Sequence, residues 1–384
     1  MFSIEKERVM GKTILFLNDA AEIGGGERNL MAWIEGLKDS PWRPIVTCPR
    51  EGSFSKELQK TNIQVEWLKL PDCRKLKDCG KGVKALFKIH QLVQREQVVL
   101  IHANSPPWFP LGYWIGRFCR IPTVVSVHGP LRAERVRQFC LPQAGLVIAI
   151  SETLKNILID AGVSVDRIQV VYSCVDTEFF SPNQQVGVGN VRRSLGIDEN
   201  DFVIGCVANL APYKGQDVLV EAFSLVIQHK PDAHCILVGR NDEPFGLKVK
   251  EVVNQLGLLG KVHFVSYHDD IRPYLGCLDL FVLASRSEGL PIIVLEAMSM
   301  AKPVVATRVD GIPEAVQDLV TGVLVPPQDP QALAAKILEL SANPKRMRKM
   351  GEEGFIRAKS FDIRNVGRAR IRTYERLLKG RSDF

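Results

Sequence analysis

The chain lacks a long apolar stretch, paired cysteines and the common phosphate-loop fingerprints, and each absence removes a class of protein. No uninterrupted apolar run approaches the ~20 residues that cross a bilayer. The nearest, 106–119, is too short and carries Arg117. The nine cysteines show no paired spacing: Cys73 and Cys79 are six apart, and no C-x-x-C occurs. That pattern predicts reduced thiols in a cytoplasmic protein, not a disulfide framework or a zinc site. The opening residues MFSIEKERVMGK are charged and lack the apolar core of a secretion signal. Neither a G-K-[ST] phosphate loop nor the dinucleotide G-x-G-x-x-G is present, which disfavours a P-loop nucleotidase and a nicotinamide dehydrogenase. Net charge is only +7. Nucleic acid is not an expected partner, because no recognised module occurs and the basic segments lack interleaved stacking aromatics.

What is present points to two α/β domains. A chain of 384 residues, 46% apolar and 24% charged, is long enough for two substantial cores. Apolar strands are expected at 13–18, 45–48, 65–68, 98–102, 123–128, 146–151 and 168–172, with helices near 28–37, 84–95, 108–120 and 152–161. The polar segment SPNQQVGVGN then reads as linker. Beyond it the alternation restarts, with strands at 203–208, 234–238, 262–265, 280–284, 303–306 and 323–325. Helices are expected near 216–229, 247–256, 271–276, 292–300, 313–317 and 330–341. Continuous apolar strands between helices mean parallel sheets covered on both faces. The expected domains are 1–180, a linker at 181–192, 193–360, and a basic helix at 361–384 free to pack back on the first domain. Two doubly wound, Rossmann-like domains would face each other across a cleft, with ligands at the carboxyl ends of their strands.

The most informative segment is S-E-G-L-P-I-I-V-L-E at 287–296. It separates Glu288 from Glu296 by seven residues, with Gly289, Leu290 and Pro291 between an apolar strand and an apolar helix. Unpaired N–H groups at a helix start attract phosphate, and a carboxylate farther along can accept both hydroxyls of a ribose. A buried corner with solvated acids is the alternative. The loop after the first strand holds Gly24, Gly25, Gly26 and Glu27, where glycines admit close approach and positive φ. His128 ends the strand VVSVHG, and His102 ends another as a weaker candidate. The second half opens with CVANLAPYKG, carrying Asn209 and Lys214, and Arg240 follows a strand after Gly239.

Together these motifs resemble the retaining glycosyltransferases of the GT-B fold, family 4, and the resemblance runs over nearly the whole chain. It implies that Glu288 binds sugar hydroxyls and Glu296 the ribose, and that Lys214 neutralises a diphosphate. It also implies that Gly25 and Gly26 approach the donor phosphates while Gly24 and Glu27 border the acceptor, and that His128 touches the transferred sugar. Asn209 stands where the family pattern G-R-L-x-x-x-K-G has arginine, so Lys214 would act alone with backbone donors or with Arg240 or Arg286. Gly311-Ile312-Pro313-Glu314 resembles a structural G-x-x-E turn. Ser173-Cys174-Val175-Asp176 departs from N-G-V-D, whose first two positions suit a left-handed turn. No D-x-D occurs, so no metal and no cofactor are expected. The implied reaction moves a hexosyl-type sugar with retention from a UDP- or GDP-sugar to a glycan or lipid-linked acceptor, as in cell-surface polysaccharide or lipopolysaccharide assembly. A GT-B-fold 2-epimerase or a non-catalytic nucleotide-sugar-binding subunit are the alternatives. The cluster Arg74, Lys75, Lys77, Lys81, Lys84 and Lys88, with Trp108, Phe109, Tyr113 and Trp114, fits an anionic membrane surface or a solvated helix over a core.

Overall fold

A computed structural model describes residues 12–38, 40–71, 79–184 and 187–379. The chain divides into two compact units, 1–172 with 363–384, and 173–362.

The first unit is built on a seven-stranded parallel sheet. Its strands are β1 (Lys12–Leu17), β2 (Trp42–Cys48), β3 (Gln64–Trp67), β4 (Val98–Ala103), β5 (Thr123–Val127), β6 (Leu146–Ala149) and β7 (Ile168–Val170). They lie in the order β3-β2-β1-β4-β5-β6-β7. Ile14, Leu15, Phe16 and Leu17 of β1 are all fully buried, as expected where helices cover both faces of a strand. The helices are α1 (Gly25–Glu35), α2 (Ser53–Lys60), α3 (Cys79–Arg95), α4 (Phe109–Cys119), α5 (Ala133–Gln138) and α6 (Glu152–Asp160).

The second unit repeats the plan with six strands. In chain order it comprises α7 (Val188–Ser194), β8 (Phe202–Val207), α8 (Gln216–His229), β9 (Ala233–Val238), α9 (Pro244–Gln255), β10 (Val262–Val265), α10 (Arg272–Cys277) and β11 (Leu280–Leu283). It continues with α11 (Ile292–Ser299), β12 (Val304–Thr307), α12 (Ile312–Ala315), β13 (Val323–Val325), α13 (Pro330–Ser341) and α14 (Pro344–Ala358). The sheet order is β10-β9-β8-β11-β12-β13. In both sheets the winding reverses beside the first strand, between β1 and β4 and between β8 and β11. Ligands of open α/β sheets bind at the carboxyl ends of strands flanking such a reversal.

The strands occur where apolar runs placed them, with β2 beginning earlier, at Trp42. The short helices α2, α5 and α7 were not expected. Each buries little: Phe54, Ser55 and Leu58 in α2, Val136 in α5, Val191 in α7. The stretch 181–192 is not simply a linker, since it carries the start of α7 and belongs to the second unit. The division falls earlier, after Tyr172. Ser173 and Cys174 are buried, and neither has a positive φ. Val175 instead bridges in parallel to Asp362, donating its N–H to Phe361 O at 3.0 Å. The departure from the N-G-V-D turn read in the sequence thus takes the form of extended pairing.

Helix α15 (Ile363–Lys379) belongs to the first unit and packs on α1. Gly36, just past α1, meets Gly367 so closely that a Cβ on Gly36 would stand 2.8 Å from the Gly367 Cα. Tyr374 is completely buried, with its ring centroid 5.4 Å from Trp33, 5.5 Å from Trp42 and 5.8 Å from His102.

Candidate functional site

At strand carboxyl ends the structure brings Lys214 to Glu288 and Asn209 to Arg240 in the second unit, and Gly26 to His128 in the first. In the second unit β8 runs into Asn209 and a short 3-10 turn, Pro212–Lys214. Gly215 caps α8 with φ +67, and a Cβ there would lie 2.0 Å from Ala284 O. Only glycine lets the β8 and β11 loops approach this closely. The approach brings Lys214 Nζ to 2.7 Å from Glu288 Oε1, with side chains only 16% and 8% exposed. Ser285 Oγ–H donates to the same Oε1 at 2.7 Å. Burial works against the Lys214 charge, but the Glu288 carboxylate outweighs it and the pKa rises, so the lysine stays cationic.

Glu288 does not cap the following helix. Its side chain turns to Lys214 and Ser285, and Pro291 occupies the N-cap with no side-chain hydrogen bond to the first turn of α11. Gly289, Leu290 and Pro291 are buried. Glu296 lies on α11 and is 3% exposed. Unsatisfied N–H groups and the helix dipole make such an uncapped start attractive to anions.

Two residues that sequence reasoning missed hold this loop. Asp310 Oδ2 accepts both Glu288 N–H and Ser287 Oγ–H at 2.8 Å, and Asp310 sits at φ 42. Its place just before Gly311-Ile312-Pro313-Glu314 was the available signal. Asp217 takes both guanidinium nitrogens of Arg286, at 2.9 and 2.8 Å. Arg286 is therefore already neutralised and is not a free substitute for the arginine replaced by Asn209. Asn209 Oδ1 accepts the Arg240 N–H at 3.0 Å, and the Arg240 guanidinium stands 5.4 Å from the Tyr267 ring centroid. Gly239 before it has φ +147.

The first-unit cluster is amide-rich, with one acid, Glu27. Helix α1 begins at Gly25, earlier than expected, so Gly25 and Gly26 are its first turn and not a loop. None of Gly24, Gly25 and Gly26 has a positive φ; what they supply is bare backbone. A Cβ on Gly25 would meet nothing within 4 Å. Glu27 Oε2 accepts the Gly24 N–H at 3.1 Å. Burial raises the Glu27 pKa despite hydrogen bonds from backbone N–H groups. His128 Nε2–H donates to Asn104 O at 2.7 Å, while Nδ1 faces Asn29 Nδ2 at 3.4 Å. That pairing fits a neutral imidazole with its proton on Nε2. Asn104 Nδ2 reaches Asn18 Oδ1 at 3.2 Å and Gly26 O at 3.4 Å.

His102 belongs to the core. It contacts Tyr374 OH at 2.6 Å through Nδ1 and Ser126 Oγ at 2.8 Å through Nε2. Desolvation is the largest cause lowering its pKa to about 3, and that of His128 to about 4. Both are depressed below the 6.5 of an unfolded histidine, so the unfolded chain binds the extra protons. Their contribution is complete above pH 6.5 and declines as pH falls toward 4, levelling off near 3. Urea midpoints of the first unit should fall over that window, and His102→Gln should flatten the slope.

Among the described residues, no three His, Cys, Asp or Glu side chains gather so as to hold a metal ion. No helix there is long and apolar enough to cross a membrane.

Comparisons with known proteins cover both units. A family model described as glycosyl transferases group 1 matches residues 188–357, and one described as Glycosyltransferase Family 4 matches 23–179. A D-inositol 3-phosphate glycosyltransferase of Segniliparus rotundus is 30% identical over 303 residues, 73% of this chain and 67% of its own. A lipopolysaccharide core biosynthesis mannosyltransferase of Rhizobium meliloti is 30% identical over 216 residues, 55% of this chain and 61% of its own. Among solved structures, Anabaena HepE in complex with UDP-glucose superposes with a TM-score of 0.84 at 26% identity, covering 94% of this chain and 99% of that one.

Proposed function

We propose, for a chain that belongs to the family 4 glycosyltransferases of the GT-B fold, that it moves a hexosyl-type sugar from a UDP- or GDP-sugar to a glycan or lipid-linked acceptor with retention, without a metal ion. The observation that carries this reading is the buried Lys214–Glu288 contact beside the uncapped start of α11. Departure of a nucleoside diphosphate develops negative charge on phosphate, and fixed cations and N–H groups stabilise it most where water is excluded. Lys214 and the first N–H groups of α11 supply that stabilisation. Glu288, held on its loop by Asp310, takes sugar hydroxyls, and Glu296 takes the ribose. Asn209 fixes the backbone of Arg240, which becomes the second cation of the donor site.

In the first unit, the bare helix start at Gly24, Gly25 and Gly26, with Glu27, serves donor phosphates and acceptor. His128, neutral at pH 7, orders Asn104 and Asn29 beside the sugar. The UDP-glucose complex of HepE supports a nucleotide-sugar donor, and the mannosyltransferase relative supports a cell-surface glycan product. The free thiols of the described cysteines suit a cytoplasmic location.

Nucleotide release from UDP-, GDP- and ADP-sugars, assayed with EDTA present, tests this. Release with one donor and sugar found joined to an acceptor are expected. A strict requirement for added metal would refute the metal-free donor site. Conversion of the donor into another nucleotide sugar, with no nucleotide released and no joined product, would indicate the epimerase, and no turnover a binding subunit.

A further inference from the structure

Helices α3 and α4 of the first unit carry an outer face that donor chemistry does not use. They pack against each other, and right-handed crossovers put them on the sheet face opposite α1 and α15. Their inner sides are core: Ala85, Ile89 and Leu92 of α3, and Leu111 and Ile115 of α4, are at most 5% exposed. Their outer sides leave Val83 68%, Phe87 61%, Trp114 58% and Phe118 75% exposed. One exposed apolar residue is ordinary. Here Val83 and Phe87 are one turn apart on α3, and Trp114 and Phe118 one turn apart on α4. The Phe118 ring meets His90 of α3 edge to face at 5.3 Å, so the two stripes adjoin. Of the aromatics noted in the sequence, Phe109 is core while Trp108 and Tyr113 are half-buried.

Among the described residues of these two helices, side-chain charge has one sign. Neither α3 nor α4 contains an Asp or Glu. Lys84, Lys88 and Arg117 are exposed, and the ion pairs among described residues include none of them. Arg74, Lys75 and Lys77 lie outside the described residues, as does the side chain of Lys81.

We propose that this face docks on an anionic lipid bilayer, with Phe87, Trp114 and Phe118 entering the headgroup boundary and Lys84, Lys88 and Arg117 meeting lipid phosphates. Such surfaces combine apolar insertion with basic attraction. A second copy of the chain fits poorly, because a two-fold contact would press two basic helices without acids against themselves. The proposal rests on the first unit alone and is independent of the transfer reading.

Co-sedimentation with vesicles of phosphatidylcholine, or of equimolar phosphatidylcholine and phosphatidylglycerol, tests it on the full chain. Binding to the anionic vesicles that weakens with added salt is expected. The triple variant Lys84→Glu/Lys88→Glu/Arg117→Glu should lower partitioning roughly 100-fold, about fivefold for each base lost. The double variant Phe87→Ser/Phe118→Ser should lower it at least about tenfold. All these side chains are exposed, so circular dichroism and donor turnover should match the parent. Equal binding to neutral vesicles, no binding, undiminished binding by the triple variant, or preferential capture of an RNA oligonucleotide would each overturn the proposal. Vesicle binding by a protein that turns over no nucleotide sugar would uphold docking while the transfer reading falls.

Discussion

Replacing Lys214 with Met should lower kcat/KM for the nucleotide-sugar donor by about 10²–10³-fold, the usual cost of losing one preorganised charge-stabilising donor. The same change removes the cationic partner of a carboxylate only 8% exposed. Leaving a buried charge unpaired costs about 3 kcal/mol, so the second unit should also melt earlier. These two losses must be separated, or a folding defect would pass for a catalytic one. Glu288→Gln separates them. It keeps size and the Ser285 contact and removes the charge that Lys214 faces. In the double variant Lys214→Met/Glu288→Gln stability should return toward the parent value, because no unpaired charge is left, while activity stays low. Circular dichroism melts and steady-state kinetics on the three variants read both quantities. Activity within about threefold of the parent in Lys214→Met would remove the lysine from the donor site. A double variant that regains activity together with stability would make the pair purely structural.

What the sequence disclosed follows the range of the interactions involved. Parallel strands buried on both faces read as continuous apolar runs, so Ile14–Leu17 and Leu280–Leu283 were legible without a structure. Lys214 and Glu288 were legible because each carries neighbours of fixed type, Gly215 and Gly289-Leu290-Pro291. Their mutual contact, 74 residues apart in the chain, was not. Asp310 and Asp217 escaped notice for the same reason. They act through hydrogen bonds spanning 22 and 69 residues, and an isolated aspartate has no local pattern. The three glycines misled because sequence shows a lack of side chains but not the sign of φ. The same pattern serves a left-handed loop or, as here, the exposed first turn of α1. Helix α7 reads as linker in the sequence because a single buried residue, Val191, cannot impose a helical period on a polar segment.

Tyr374→Ala should be among the most destabilising single changes in the first unit. The ring is fully enclosed by Trp33, Trp42 and His102. Its hydroxyl meets His102 Nδ1 at 2.6 Å across 272 residues of chain. Truncation leaves a cavity and also strips His102 of one partner inside the core. Losses of this kind cost about 3–5 kcal/mol for a large aromatic, a fall in melting temperature on the order of 10 °C for a unit of this size. The affected transition should be that of the first unit, although the mutated residue lies near the end of the chain, because α15 packs on α1 through Gly36 and Gly367. Tyr374→Phe keeps the ring and removes only the hydroxyl, so its cost should be about 1–2 kcal/mol. Differential scanning calorimetry resolves the two units if they melt separately. If Tyr374→Ala moved the transition of residues 173–362 and left the other in place, α15 would have to be assigned to the second unit. If it moved neither, the aromatic cluster would not be what holds the last helix.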